Sequence, residues 1–329
     1  MAFFHTLTGM YLTQSVLHAF LGLIVVEISF FAWGISDHLS RFRYRLLTLT
    51  LPIFMFPLYQ LLSPERSSWH FRVSRALFDS HQWLDLKAFS LFPFAGALIV
   101  ILTGFSLLFL LQEVWPLFQR HKGRSSGQEY EETHLYDERM HTLLGSICRP
   151  LTINMPSYRV IVEELPTLFT QGFKSHTIVI SDHLVRTLDD DQLLAALTHE
   201  VVHMIRGSSL KTPVIYLLRM LMFYNPVSLV EFRRIVHDEE FICDAITISM
   251  TKNPTALIEA LKAFYYDPDE EHGNPMQMKD RVEIHSHNLI LDERIGRLQG
   301  AASTGESGFR WLPFMLTACF IMTTGYLVV

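Results

Sequence analysis

Long apolar runs alternate with stretches of mixed polarity along this chain, and the alternation divides it. A helix that spans a bilayer needs about 20 mostly apolar residues. Four runs meet or approach that length: Tyr11 to Gly34, Leu46 to Leu62, Ala88 to Gln112 and Trp311 to Val329. The second is short and contains Pro52 and Pro57, so it reads as a kinked or re-entrant helix whose neighbours satisfy the freed carbonyls. The expected organisation is three N-terminal membrane helices over 1–112 with a loop at 64–87, a linker over 113–132, a folded domain over 133–305, and a C-terminal membrane helix over 309–329.

The pattern changes within 133–305. Tyr158 to Glu163 and His176 to Ser181 are rich in β-branched residues and read as strands. Thr170, Gln171 and Gly172 read as a turn between them. Asp189, Asp190 and Asp191 then crowd a helix start, where acids favour the helix dipole and one can cap the end. The helix continues as QLLAALTHEVVHMI. The expected fold class is α+β, with a small domain attached to about four membrane helices.

Composition agrees with a part-membrane chain. Of the residues, 49% are hydrophobic and only 18% charged, less charge than a soluble domain of this length usually carries. A net charge of −6 gives no reason to expect nucleic acid as a partner; the lipid bilayer is the expected one. The three cysteines are widely spaced, which argues against a disulfide framework and a cysteine metal site. No Lys or Arg occurs in the first 40 residues, so the basic start of a signal peptide is missing.

Loop charge suggests an orientation. Arg41, Arg43 and Arg45 follow the first run, and Arg120, Lys122 and Arg124 follow the third. Both clusters are expected in the cytoplasm, with the folded domain on the same side of an inner, or cytoplasmic, membrane. Arg66, Arg72, Arg75 and Lys87 in the loop at 64–87 run against that assignment.

The chemistry concentrates in His199-Glu200-Val201-Val202-His203. Residues four apart share one helical face, so both imidazoles can bind one metal ion. Glu200 is then placed to reach a zinc-bound water, take its proton and pass it to a leaving amine. Catalytic zinc keeps three protein ligands and one open position. By spacing alone, Glu240 competes with His237 and Glu239 for the third place. Glu240 and Asp244 lie four apart on a second helix, so Asp244 could orient a histidine ligand. His203 and the third ligand must also lie on one side of the bilayer. Only 36 residues separate His203 from Glu240, too few for two crossings. Pro213 to Val230, though apolar, is therefore expected to dip into the membrane or pack on the spans, broken at Asn225-Pro226.

HEVVH, then FYNP (Phe223 to Pro226), then EFICD (Glu240 to Asp244) resembles the membrane zinc peptidases of the β-lactam-receptor type and, more broadly, the HtpX-like and CAAX-prenyl-protease-like gluzincins. Ser286-His287, followed by Glu293 to Leu298, is similar to their T-H-P…R-I-x-x-L element. The resemblance covers about 155–300. It implies a gluzincin domain with the active-site helix packed on a small sheet, a substrate strand added at the sheet edge, one zinc ion held by His199, His203 and Glu240, Asp244 behind them, and Glu200 as base. Two departures stand out: Ser208 replaces an Asp usual in the family, and Asn288 replaces the proline of T-H-P. No penicillin-binding sensor domain follows the last apolar run, so β-lactam sensing is not expected.

Other features have plainer readings. Glu27 lines a polar path or sits near an interface. Arg219 plays a structural part. His285 and His287 are solvated rather than metal-binding, and Arg206 resembles a basic position of the family. The expected function is a zinc metalloendopeptidase acting on a protein or peptide substrate. The alternatives are a triggered receptor that cleaves a regulatory protein partner, and a catalytically silent scaffold.

Overall fold

The computed structural model describes residues 6–79, 87–88, 92–93, 97–98, 100–105, 107–108, 111, 134–172, 175–265, 278–300 and 308–329. Parts of the third apolar run and all of the linker at 113–132 lie outside the described residues. The chain divides into two compact units: Met1–Gly127 with Pro213–Glu239 and Glu306–Val329, and Gln128–Thr212 with Glu240–Gly305.

The first unit is built on two long helices, α1 (Leu7–Ala32) and α2 (His38–Leu62). Thr6 caps α1 by accepting from the Gly9 amide, and Asp37 caps α2 by accepting from Ser40. At 1.5 Å per residue each exceeds the roughly 30 Å of a hydrocarbon core, and both are long and apolar enough to cross a membrane. The buried face of α1 mixes apolar residues such as Val16, Ala19 and Val26 with polar ones. Thr13, Gln14, Ser15, His18 and Ser29 of α1 are buried, while Phe20, Ile24, Ile28 and Phe31 are exposed. Large apolar side chains exposed along one long helix fit a lipid solvent.

The second apolar run is thus part of one continuous helix that starts at His38, eight residues before the run itself, because Asp37 caps it there. Pro52 and Pro57 do not end it. Pro57 has no amide to give the Ile53 carbonyl, and the Tyr11 hydroxyl of α1 donates to that oxygen instead, at 3.4 Å. The fourth run forms a shorter helix than expected (Trp311–Tyr326, 16 residues). Beyond its last turn the chain forms a bridge between Val328 and Phe78. Buried Arg66 donates to the carbonyls of Gly325, Tyr326 and Val328, satisfying acceptors that a helix end leaves open.

Between α2 and this last helix in sequence come a short helix, α3 (Trp69–Ser74), and a two-residue strand pair, β1 (Lys87–Ala88) with β2 (Phe92–Pro93). The apolar segment after the H-E-x-x-H helix breaks between residues 221 and 226. Asn225 is fully buried, and its side-chain oxygen accepts from the Val227 amide at 3.0 Å, starting the next helix. Tyr224 shares a 2.8 Å hydrogen bond with Ser15 of α1, and Met222 and Val227 pack with Ala19 and Ile53. Glu27 accepts from Arg234 at 2.8 Å, so its charge is paired. The Arg219 guanidinium lies over the Phe232 ring, 5.2 Å from its centroid.

The second unit places helix α4 (Asp137–Leu151) and the H-E-x-x-H helix around a three-stranded sheet. The strands are β3 (Ser157–Ile161), β4 (Leu168–Gln171) and β5 (Thr177–Ser181), in the order β3-β5-β4. β5 is central, parallel to β3 and antiparallel to β4. Its near-continuous burial explains its run of β-branched residues. Thr170 and Gln171, expected in a turn, belong to β4 instead. They pair with Ile178 and Thr177, and the turn begins at Gly172, whose φ of 99° suits glycine. A short helix not expected from the sequence, α5 (Asp182–Thr187), precedes α6 (Asp190–Ile205). The core joins Met140 and Leu144 of α4, Ile178 and Ile180 of β5, and Leu193, Leu197 and Val201 of α6. α7 (Ser208–Leu221) and α8 (Pro226–Thr251) follow, then α9 (Pro254–Lys262), α10 (Met278–Gly300) and the helix at 311–326, α11.

Candidate metal centre

α6 begins with a capping box. Asp189 accepts from the Gln192 amide at 2.8 Å, and the Gln192 side chain accepts from the Asp189 amide at 3.1 Å. This start, with Leu193, Leu197 and Val201 in the core, sets the rotation of the helix. His199 and His203 then share a different face. Glu240 and Asp244, four apart, are presented by α8.

Three donor groups converge there. His199 Nε2 and His203 Nε2 are 3.1 Å apart. Glu240 places Oε2 3.4 Å from His199 Nε2 and Oε1 3.4 Å from His203 Nε2. Donors about 2.0–2.1 Å from a tetrahedral ion stand about 3.3 Å from one another. The three groups therefore fit one four-coordinate cation with a position to spare. The donor set, two imidazoles and a carboxylate, suits zinc chemically.

The groups behind the donors differ. His199 Nδ1 lies 3.1 Å from Asp244 Oδ1, close enough for an ion pair but out of line for a full hydrogen bond. Asp244 is held by Arg294 of α10, which donates through Nη2 to Oδ1 at 2.6 Å and through Nε to Oδ2 at 2.8 Å. Arg294 Nη1 also stands 3.2 Å from Glu240 Oε2. His203 turns its Nε2 to the other donors and its Nδ1 away from them. There it faces Ser208 Oγ at 3.3 Å and Cys243 Sγ at 3.4 Å. The serine that departs from the family pattern thus still touches the histidine. Glu200 accepts a hydrogen bond of 2.8 Å from the Thr170 hydroxyl on β4.

The charges are interlocked. Burial works against a charged His199, yet Asp244 and Glu240 outweigh it and raise the imidazole to about 9. Burial would raise the Asp244 carboxyl, but hydrogen bonds from Arg294, then the neighbouring His199, hold it below the usual range. Glu240 is likewise held well below its ordinary value, against burial, by the two histidines and Arg294. A bound cation would replace the histidine proton among groups already arranged for positive charge.

His199, Glu200, His203 and Glu240 line one cavity of about 260 Å³, together with Arg294 and an apolar wall. Glu200, His199, His203, Glu240 and Asp244 are therefore all brought together. Arg294 and Thr170 were not anticipated as site residues. Arg294 lay inside the R-I-x-x-L resemblance, a signal that could have flagged it, whereas Thr170 had none. The side chains of His285 and His287 lie outside the described residues. Arg206 forms the C-cap of α6.

The profile of the BlaR1 peptidase M56 family matches residues 81–256, more than half of the chain, and takes in the donors on α6 and α8. The chain belongs to the BlaR1 peptidase M56 family. This M56 member is also similar to two proteins of Bacteroides fragilis, from strains YCH46 and ATCC 25285, each named a protease HtpX homolog. Each is 22% identical over 215 residues, covering 52% of this chain and 63% of the relative. The chain thus spans under two thirds of the length of these relatives. The crystal structure of S. mikatae Ste24p aligns over 84% of this chain and 67% of its own, at 16% identity and a TM-score of 0.21, too low to establish a shared fold.

Proposed function

We propose that this M56 protein is a membrane-embedded, zinc-dependent endopeptidase. The convergence of His199 Nε2, His203 Nε2 and the Glu240 carboxylate beside Glu200 in one cavity carries the reading. His199, His203 and Glu240 hold zinc, and Asp244 with Arg294 keeps His199 in place. Zinc, when bound, supplies Lewis acidity that activates water and polarises the scissile carbonyl. Glu200 is the general base; it takes the proton from the attacking water and returns it to the departing amine. The Thr170 hydroxyl fixes the carboxylate for that transfer. The substrate is a protein or peptide, and its strand adds to β4 at the sheet edge. α1 and α2 anchor the chain in the bilayer, and the loop charge at Arg41, Arg43 and Arg45 supports a catalytic domain in the cytoplasm.

The test is cleavage of an unfolded protein by the zinc-loaded chain in detergent, beside its Glu200→Gln variant. Cleavage by the wild type alone supports the proposal. Equal cleavage by both, or by neither while zinc is bound, overturns it.

A further inference from the structure

The first unit carries, where α1 turns into α2, a cleft that the metal chemistry does not use. It measures about 480 Å³ and is lined by Glu27, Phe30 and Phe31 of α1, Ser36 of the turn, and Arg41 and Arg45 of α2. The two arginines are four apart on one face of α2. Both guanidiniums lie over the Phe30 ring, 5.6 and 5.8 Å from its centroid. Their commitments differ. Arg45 Nε stands 3.3 Å from Asp238 Oδ2, on a carboxylate whose other oxygen lies 2.6 Å from His38 Nδ1. Arg41 donates through Nε to the Ile35 carbonyl at 3.4 Å and has no carboxylate partner among the described residues. Glu27, the acid in the lining, is held at 2.8 Å by Arg234, which Glu231 shares at 2.9 Å. Arg43 points elsewhere, over the Phe309 ring at 4.1 Å. The cleft thus presents two cations and the Ser36 side chain against one acid that is already paired.

A second feature leads into the cleft. Phe20, Ile24, Ile28 and Phe31 form an exposed row along α1, and Phe31, 92% exposed, also lines the cleft. The row runs about 16 Å along the helix at 1.5 Å per residue. That is close to half the roughly 30 Å thickness of a hydrocarbon core. Large apolar side chains that end at paired arginines match a phospholipid, with a tail against the row and a phosphate at the guanidiniums.

We propose that this cleft binds the phosphate of an anionic glycerophospholipid. Arg41 is the main donor, Arg45 supplies the second charge, and an acyl chain lies along Ile28 and Ile24. A zwitterionic headgroup would bring its ammonium to Glu27, whose charge Arg234 already holds, so the headgroup that fits carries net negative charge, as in phosphatidylglycerol. The inference rests on the membrane placement of α1 and α2 and stands apart from the peptidase chemistry.

The experiment is native mass spectrometry of the full chain in mild detergent. The probes are phosphatidylglycerol, phosphatidylethanolamine and phosphatidylcholine with identical acyl chains, with inorganic phosphate as competitor. Phosphatidylglycerol should bind with a Kd about tenfold lower than either zwitterionic lipid. Arg41→Gln, which breaks no ion pair, should weaken it about tenfold. Arg41→Gln combined with Arg45→Gln should abolish the preference. Arg75→Gln makes the same charge change beyond the far end of α2, more than a Debye length away, and should leave the Kd within about twofold. Ile28→Ser should weaken all three lipids alike, by about threefold or more. Thermal unfolding and zinc content report whether each variant is folded. Equal binding of the three lipids, or equal losses in Arg41→Gln and Arg75→Gln, overturns the site. Displacement of phosphatidylglycerol by millimolar inorganic phosphate assigns the arginines to a free anion and overturns the lipid. Release of the wild type from membranes by alkaline carbonate without detergent overturns the membrane placement itself. Firm retention there, with no headgroup preference, overturns the lipid site alone.

Discussion

Asp244→Asn is the most informative single change. In the native site the Asp244 carboxylate accepts from Arg294 at 2.6 and 2.8 Å and lies 3.1 Å from His199 Nδ1, with both acid and arginine side chains almost wholly buried. Asparagine keeps the shape but removes the charge. Arg294 then keeps its 3.2 Å approach to Glu240 and one neutral acceptor, while the Asn NH₂ faces a guanidinium donor. Breaking a buried pair from one side costs about 3–5 kcal/mol, because the surviving charge is left uncompensated. His199 loses the group that orients it, and removal of such outer partners weakens metal binding about 10- to 100-fold. The assay is a zinc titration against a chromophoric chelator, with thermal unfolding, for wild type, Asp244→Asn, Arg294→Leu and the double variant. The double variant should lose less stability than the two single losses combined, by about 1–3 kcal/mol. Zinc affinity within twofold of wild type in Asp244→Asn, or strictly additive losses, would falsify the reasoning.

The remaining predictions are narrower. Glu200→Gln should lower kcat by about 10²- to 10⁴-fold while one zinc per chain is retained, as read by metal analysis beside single-turnover cleavage. Thr170→Val removes one hydrogen bond to a carboxylate and should lower kcat by about tenfold or more with little change in zinc affinity; an unchanged kcat would show that the hydroxyl does not position Glu200. His199 sits at about 9, above its ordinary 6.5. Its protonated form therefore stabilises the metal-free chain fully below pH 6.5, and that contribution is lost as pH rises through about 9. Zinc needs the neutral ring, so its apparent affinity should rise by up to about tenfold per pH unit between pH 7 and 9 and then level off; titrations showing a flat profile would count against this. Arg66→Met leaves the carbonyls of Gly325, Tyr326 and Val328 without that donor and should lower the unfolding temperature in detergent, with zinc binding unaffected.

The chemistry legible in the sequence was local. H-E-x-x-H puts two imidazoles on one face because the α-helix repeats every 3.6 residues, and no tertiary contact is needed to know it. E-x-x-C-D pairs Glu240 with Asp244 for the same reason. Capping by Asp189 and the apolar runs of α1 and α2 are equally short-range. The choice of Glu240 over His237 and Glu239 needed either a family likeness or a structure, since a run of acids on one helix does not say which one faces a partner. The extent of β4 was missed because a four-residue edge strand has too little alternation to announce itself; its pairing with β5 defines it. Arg294 reaches Asp244 across 50 residues and Thr170 reaches Glu200 across 30, contacts made only when α10 and the sheet pack beside α6 and α8. By itself, then, the sequence determined the H-E-x-x-H helix, the pairing of its two histidines on one face, and the long apolar helices. The tertiary structure decided which acid meets both imidazoles, which cation steadies it, and which apolar wall stands beside it, because those depend on side chains far apart in sequence meeting at one place.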